Sequence, residues 1–264
     1  MTANGIDVSH YQGLIDWNKV KADPKKYLYA IMKCTENIDY ADPTTARNVA
    51  GADSVEIDNS VYHFWRALST GKKQAEWFLK HLPKMPKMPL VIDVEDSTNV
   101  PPDPSPDFAR RCLVNIREMA IELEKAQGRR PIIYTGAWFW NRIANQYSIR
   151  EPDGTYWWSK YDLWVASYTT NAPILPWGWT KWLLWQYSSK GVVSGINASC
   201  DLDYFNGDEI ALKNFINAGV TPTVPPVHMV TVPIKSITDT KVIATQGRDA
   251  INQVITNLTM MEGL

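Results

Sequence analysis

Eight short, β-rich runs punctuate the first four-fifths of the chain, and helical patterns fall between them. The runs are Gly5–Ser9, Leu28–Glu36, Ser60–Ala67, Leu90–Glu95, Arg130–Gly136, Leu163–Tyr168, Trp182–Ser188 and, more weakly, Cys200–Phe205. Several are continuous apolar stretches, the pattern of parallel strands buried on both faces. Thr70–Leu82 opens polar and carries Trp77, Phe78 and Leu82 at helical spacing. Ser105–Gly128 is the clearest helix. Ser105-Pro106 supplies an N-cap and first position, and Gly128 a C-cap. Phe108, Cys112, Ile116, Met119 and Leu123 recur every three or four residues, so Cys112 faces the core. Asp208–Ala218 closes the series before Gly219. Strands alternating with helices mean an α/β architecture. About eight strands in about 210 residues predict a compact, irregular (β/α) TIM-like barrel with fewer helices than strands. No strong helix pattern separates the last three runs.

The composition then shifts. Residues 1–219 form the expected barrel, 220–226 a Pro-rich linker (TPTVPP from Thr221), and 227–264 a small C-terminal β/α tail. The tail alternates in HMVTVPIKS and KVIA, then reads as an amphipathic helix over Arg248–Met261, with Ile251, Val254, Ile255 and Leu258 on one face. So short a segment buries little core alone. It is expected to dock on the barrel, self-associate or bind a partner.

Composition excludes several functions. Lys plus Arg number 27 and Asp plus Glu 28, for a net charge of -1. That balance argues against nucleic acid and against an anionic membrane surface. No apolar run spans a bilayer. Three cysteines, at 34, 112 and 200, make neither a zinc spacing nor a disulfide framework. Met1–Asp7 lacks a charged and an apolar leader region, so synthesis in a cytoplasm without Sec export is expected. His10 and His63 have no ligand-spaced companions, and G-x-S-x-G, G-x-G-x-x-G and P-loop motifs are missing. No metal or cofactor is expected. Twelve Trp and 12 Tyr against 6 Phe point to flat faces with polar edges, the surfaces that receive sugar rings.

Four acids carry the chemical argument. Asp7 lies in the first run, Asp93 and Glu95 in the fourth (IDVED), and Asp201 opens the last (CDLD). Acids two apart on a strand share a face. Placing Asp93 and Glu95 there costs stability and drives their pKa values apart, as acid catalysis at neutral pH requires. Barrel active sites gather residues from the C-terminal ends of different strands, a layout all four acids fit. The alternative is capping carboxylates or arginine partners. Asp96 reads as a first loop residue and Asp203 as structural.

The chain resembles the glycoside hydrolase family 25 lysozymes, the Chalaropsis-type muramidases of phage endolysins and bacteria. The resemblance is carried in order by GIDVSHYQGLIDW, IMKCTEN, DYADPTTARNVAGA, VYHFWRA, VIDVED, IIYTG, LWVASY and LWQYSSKGVVSGINASCDLDYFNG. It covers Gly5 to about Gly219. It implies an irregular barrel and cleavage of the β-1,4 bond from N-acetylmuramic acid to N-acetylglucosamine in bacterial peptidoglycan. It implies Glu95 as proton donor and Asp93 as the group assisting at the 2-acetamido or anomeric centre. Asp7 and Asp201 would complete the acidic floor. A retaining outcome and a substrate-assisted route are in keeping with it. Lys33 and Tyr40 match positions the family uses around the cleft. Phe64, Tyr134, Tyr168 and Gln186 sit on or just after strands near the expected mouth, as further substrate-binding candidates. Lys33, if buried, needs a carboxylate partner, with Asp7 or Asp93 available. The Trp-rich stretches Glu151–Tyr161 and Asn171–Thr180 depart from the family and are expected to line an extended groove, and Asp203 stands where the family often has Asn. The tail does not resemble wall-binding repeats. Resemblance and N-terminus together imply a phage endolysin, made in the host cytoplasm and acting at the wall after release. The competing reading is a non-catalytic glycan-binding or virion structural protein with a retained barrel. It is disfavoured because all four acids remain.

Overall fold

The structure, a computed structural model, describes residues 2–96, 98–144 and 150–218. The linker and tail expectations lie outside the described residues. By internal contacts the chain divides into Met1–Thr221 and Pro222–Leu264.

Nine strands form one sheet among the described residues: β1 (Ala3–Val8), β2 (Tyr27–Glu36), β3 (Tyr40–Ala41), β4 (Asp58–Phe64), β5 (Val91–Asp93), β6 (Ile132–Gly136), β7 (Leu163–Ala166), β8 (Leu184–Gly191) and β9 (Cys200–Phe205). The order is β1-β9-β8-β7-β6-β5-β4-β2-β3, and a β1–β2 pairing closes eight of them into a barrel. The short β3 pairs only with the end of β2. The expected α/β barrel is present, with one exception to its parallel character. β9 runs antiparallel to both β8 and β1.

Side-chain alternation builds two cores. Inside the barrel, Ala3, Tyr29, Ile31, Val91, Ile132, Leu184 and Phe205 pack together, joined by Leu212 and Ile216 of α6 (Glu209–Asn217). The alternate residues, among them Ile6, Ala30, Met32, Ile92, Ile133, Val165 and Leu202, pack outward against the helices. Gly5 lies on the inner face. A Cβ there would fall 2.2 Å from Cζ of Tyr29, so glycine alone admits that ring across the barrel floor.

Helix α3 (Gly71–Lys80) is capped by Thr70, and α4 (Pro106–Gln127) by Ser105, with Gly128 in the left-handed conformation at φ 72°. These match the sequence expectation. Helices α1 (Trp17–Lys21), α2 (Thr45–Ser54) and α5 (Ala137–Ala144) were not expected. α1 is one turn long, and α2 carries Gly51 and few large apolar residues, so neither prints a helical period. α5 opens on the aromatic run AWFW directly after β6, where β propensity masks the period. No α-helix separates β7, β8 and β9 among the described residues, as anticipated. β5 is shorter than the run Leu90–Glu95 and stops at Asp93. Even so, Val94 N–H still donates to Tyr134 O at 2.9 Å, so the extended path continues toward Glu95. β4 starts two residues before the expected run and ends at Phe64.

Candidate active site

Parallel strands carry inward residues toward one end of the barrel. Asp7 comes from β1, Tyr62 from β4, Asp93 from β5, Tyr134 from β6, Trp164 from β7 and Gln186 from β8. Glu95 and Tyr168 follow two residues after β5 and β7. Asp201 is the second residue of β9 and reaches the same mouth only because β9 is reversed, pairing opposite Asp7. It therefore sits at a strand beginning, not at the C-terminal end expected from an all-parallel barrel. These nine residues enclose a pocket of about 150 Å³.

Of the ten sequence candidates, the four acids with Tyr134, Tyr168 and Gln186 meet in this pocket. Lys33, Tyr40 and Phe64 do not line it. Lys33 Nζ bonds Glu36 Oε2 at 2.6 Å, so its partner is neither Asp7 nor Asp93. The nearer carboxylate lies three residues along the same strand. Lys33 rests 4.9 Å from the Phe64 ring centroid and 5.4 Å from that of Tyr40, so both rings support the ammonium. The Tyr40 hydroxyl lies 3.1 Å from His10 Nδ1.

Sequence reading missed Tyr62, Trp164, Glu36 and Arg66. Tyr62 and Trp164 share inward parity with Phe64 and Ala166, a signal present in the runs themselves. Arg66 has no local signal. It joins Glu36 (Nε to Oε1, 2.9 Å) to Asp96 (Nη1 to Oδ1, 2.6 Å), residues 30 positions away on either side. Asp96 lies in the loop after β5, as expected, and it is fully buried, accepts the Ala67 N–H at 2.9 Å and anchors this network.

Hydrogen bonds order the floor. Tyr134 and Tyr168 hydroxyls donate to Gln186 Oε1 at 2.8 and 3.0 Å, which turns Gln186 Nε2 to donate to Asp7 Oδ2 at 2.8 Å. Asp93 Oδ1 is buried with no partner within the protein. Burial, then repulsion from Asp201, pushes Glu95 up to about 7, against opposing pulls from Lys33 and Arg66. Burial alone takes Asp201 to about 6. Asp93 and Asp7 are raised well above the carboxylate range by burial, reinforced by Glu95 for the first and by Asp201 and Asp203 for the second. The result is a proton-holding carboxyl at neutral pH beside other acids, the division of labour acid catalysis needs.

Glu95, Tyr134 and Tyr168 also border a second hollow of about 380 Å³. It continues over Ala137, Trp138, Ala166, Ser167, Thr169 and Ile174. This shelf is mainly apolar and presents exposed Trp138 and Ile174. Glu95 thus stands between a small acidic pocket and a broad apolar shelf.

The Trp-rich stretches contribute Ile174 to the shelf, but their tryptophans do not line the expected groove beside the acids. Trp157, Trp158 and Trp179 are buried, and Trp158 and Trp179 pack against Trp140 with centroids 5.4 and 4.9 Å away. They close core under α5, and the larger cleft beside them opens where β7 and β8 begin, away from the acids. His63 is fully buried between Thr35 Oγ1 (2.8 Å) and Gln74 Oε1 (3.0 Å), and burial lowers it to about 4. No cluster of three or more His, Cys, Asp or Glu suited to a metal ion occurs among the described residues.

Comparison with known proteins places this geometry in context. The model of the glycosyl hydrolases family 25 matches residues 6–196. Lysozyme M1 of Streptomyces globisporus is 30% identical over 225 residues, covering 81% of this chain and 71% of the relative. The crystal structure of the bacterial lysozyme from Streptomyces coelicolor superposes with a TM-score of 0.72 at 28% identity, over 83% of this chain and 99% of that one. A family 25 glycosyl hydrolase from Bacillus anthracis gives a TM-score of 0.65 at 28% identity, over 83% and 94%.

Proposed function

The chain belongs to the glycosyl hydrolases family 25, a family of lysozyme-type peptidoglycan hydrolases, and from that premise we propose that it cleaves the β-1,4 bond between N-acetylmuramic acid and N-acetylglucosamine, with Glu95 as proton donor. The observation that carries this reading is the position of Glu95. A general acid must stand between the sugar being cleaved and the leaving sugar. Glu95 borders both the acidic pocket and the apolar shelf, and it holds its proton to about pH 7.

The muramic acid ring enters the acidic pocket, and the leaving N-acetylglucosamine lies on the shelf with its C–H face against Trp138. Asp93 Oδ1, unpartnered and buried, accepts the acetamido N–H. That bond turns the acetamido oxygen toward C1. The oxygen attacks C1 as the C1–O4 bond breaks, and the Glu95 proton passes to O4. Water then adds to C1, reopening the cyclic intermediate and returning a proton to Glu95. The anomeric configuration is retained. Such substrate assistance frees the mechanism from a fixed carboxylate spacing. Gln186, fixed by two phenols, holds Asp7 at the floor.

The test is digestion of purified walls from several Gram-positive species beside E95Q, with fragments read by mass spectrometry. The expected products end in reducing N-acetylmuramic acid and are missing with E95Q. Equal release by both proteins, or none from any wall, would move the barrel to glycan binding or to another glycan. We extend the reading to a phage endolysin, reaching the wall of its host after release. Expression with a holin in that host is expected to lyse the cells, and intact cells would remove the endolysin role.

A further inference from the structure

A cleft of about 740 Å³ opens at the end of the barrel away from the acids. Asp162 and Leu183, the residues just before β7 and β8, line it, with Asn206 just after the reversed β9. The acidic pocket lies where the parallel strands end, so a ligand in this cleft is not the sugar being cleaved. One wall is braced by the protein itself. Tyr156 stacks on Trp158 with centroids 4.7 Å apart, and the Arg150 guanidinium lies over the Tyr156 ring at 4.5 Å. Arg150 is also committed to Gly154 O at 2.6 Å and to the Tyr156 hydroxyl at 2.9 Å. Three further charges line the cleft. Lys160 and Lys181 are exposed, and neither forms an ion pair among the described residues. Asp162 is half-buried, and its carboxyl has no hydrogen-bond or ion-pair partner among the described residues. Burial raises it above the ordinary carboxylate value, against pulls from Lys181, Arg129 and Arg130.

The charges select the ligand. A neutral glycan filling the cleft would strip water from two ammonium groups and a carboxylate without pairing any of them. A polyphosphate would suit the lysines but would set its negative charges against Asp162. The complementary ligand carries carboxylates and an ammonium together. In peptidoglycan the lactyl group of N-acetylmuramic acid bears a short stem peptide of that kind. Its glutamyl residue and its C-terminus are carboxylates, and its diamino residue keeps a free ammonium wherever it is not cross-linked. We propose that this cleft is a second wall-binding site that takes the stem peptide, with Lys160 and Lys181 on its carboxylates and Asp162 on the ammonium of its diamino residue. Two sites at opposite ends of the barrel let one molecule hold the wall through a peptide while it cuts a glycan elsewhere. The inference rests on peptidoglycan being the substrate, but its ligand lacks a glycosidic bond, so binding is read without catalysis.

The test is a nuclear magnetic resonance titration of the full chain with synthetic N-acetyl-L-alanyl-γ-D-glutamyl-L-lysyl-D-alanine. Saturable shifts are expected at the backbone amides of residues 159–163 and 178–183. Acetylating the lysyl amine of the peptide is expected to weaken binding to the wild type about tenfold, the worth of one charge-assisted hydrogen bond. In D162N the two peptides are expected to bind within about twofold of each other, because the group that tells them apart is gone. D162N keeps the backbone bond from Ile133 N–H to Asp162 O, 3.0 Å long, and removes a charge that burial disfavours, so it is expected to fold. The double variant K160A/K181A is expected to weaken the unmodified peptide by about tenfold or more. Both variants are expected to hydrolyse soluble glycan chains at the wild-type rate. That activity separates the two readings, since its absence in the wild type would remove the enzyme and leave the titration to judge the cleft. No saturable shift with the peptide, or equal affinity of the wild type for both peptides, would overturn the proposal. So would the same shifts produced by chitotetraose, which would make the cleft a glycan site, or by poly(glycerol phosphate), which would make it a polyanion site.

Discussion

Glu95 concentrates the consequences of the site in one side chain. Replacing a positioned general acid costs on the order of 10² to 10⁴ in rate, so E95Q is expected to lose that much kcat/KM on soluble glycan chains. In the wild type, kcat/KM is expected to fall above about pH 7 as Glu95 loses its proton, a limb that pH–rate measurement will locate. The same burial weakens the fold. A folded pKa of about 7 against an ordinary 4.5 means that stability is lost as pH rises between those values. The difference is worth about 3 kcal/mol at pH 8. E95Q is therefore expected to melt higher than wild type at pH 8, with the gain vanishing near pH 4. An unchanged Tm at pH 8 would mean that the carboxylate is not desolvated. His63 acts with the opposite sign. Its folded pKa of about 4 lies below the ordinary 6.5, so its contribution is complete above pH 6.5 and disappears as pH falls toward 4. Strand position brought forward Asp7, Tyr134 and Gln186, and the parity rule placed Asp93 beside Glu95. It also contained Tyr62 and Trp164, whose inward positions follow from the same strands. Arg66 and Glu36 were not legible, because their value lies in partners brought together from separate elements.

At the scale of elements, the close approach of α3 to α4 is a sharp requirement. A Cβ on Gly71 would lie 1.8 Å from Asn115 O and 2.7 Å from Met119 N, both backbone atoms that cannot swing aside. G71A is expected to cost about 2 kcal/mol or more by prising α3 from α4, read as a lower denaturation midpoint at unchanged slope. The reversed β9 has a different consequence. It carries Asp201 at its beginning to the mouth where the other strands end, opposite Asp7. The run CDLDYF shows alternation but carries no mark of direction. The Trp-rich stretches teach the converse lesson. Their composition fits a sugar groove as well as a core, and only the seating of Trp158 and Trp179 against Trp140 separates the two.

For the whole molecule, the family match and the described barrel both fall within Met1–Thr221. Deleting Val227–Leu264 is expected to leave hydrolysis of soluble glycan chains within about twofold of the full chain, since a self-contained domain carries its own core. The same deletion is expected to reduce retention on intact walls if the tail targets the enzyme, as sedimentation with purified walls will show. Equal loss of both activities would instead make the tail part of the barrel's stability. The sequence by itself determined the class of fold, because buried parallel strands must be apolar along their length and helices must repeat at their own period. It also determined the identity of the four acids, because a carboxyl on an inward strand position is costly wherever it is found. Tertiary structure alone decided the direction of β9, the pairing of Lys33 with Glu36 and the burial of Trp157, Trp158 and Trp179. Each depends on which distant segments meet, and pair distance and burial, unlike periodicity, are not properties of a local stretch of chain.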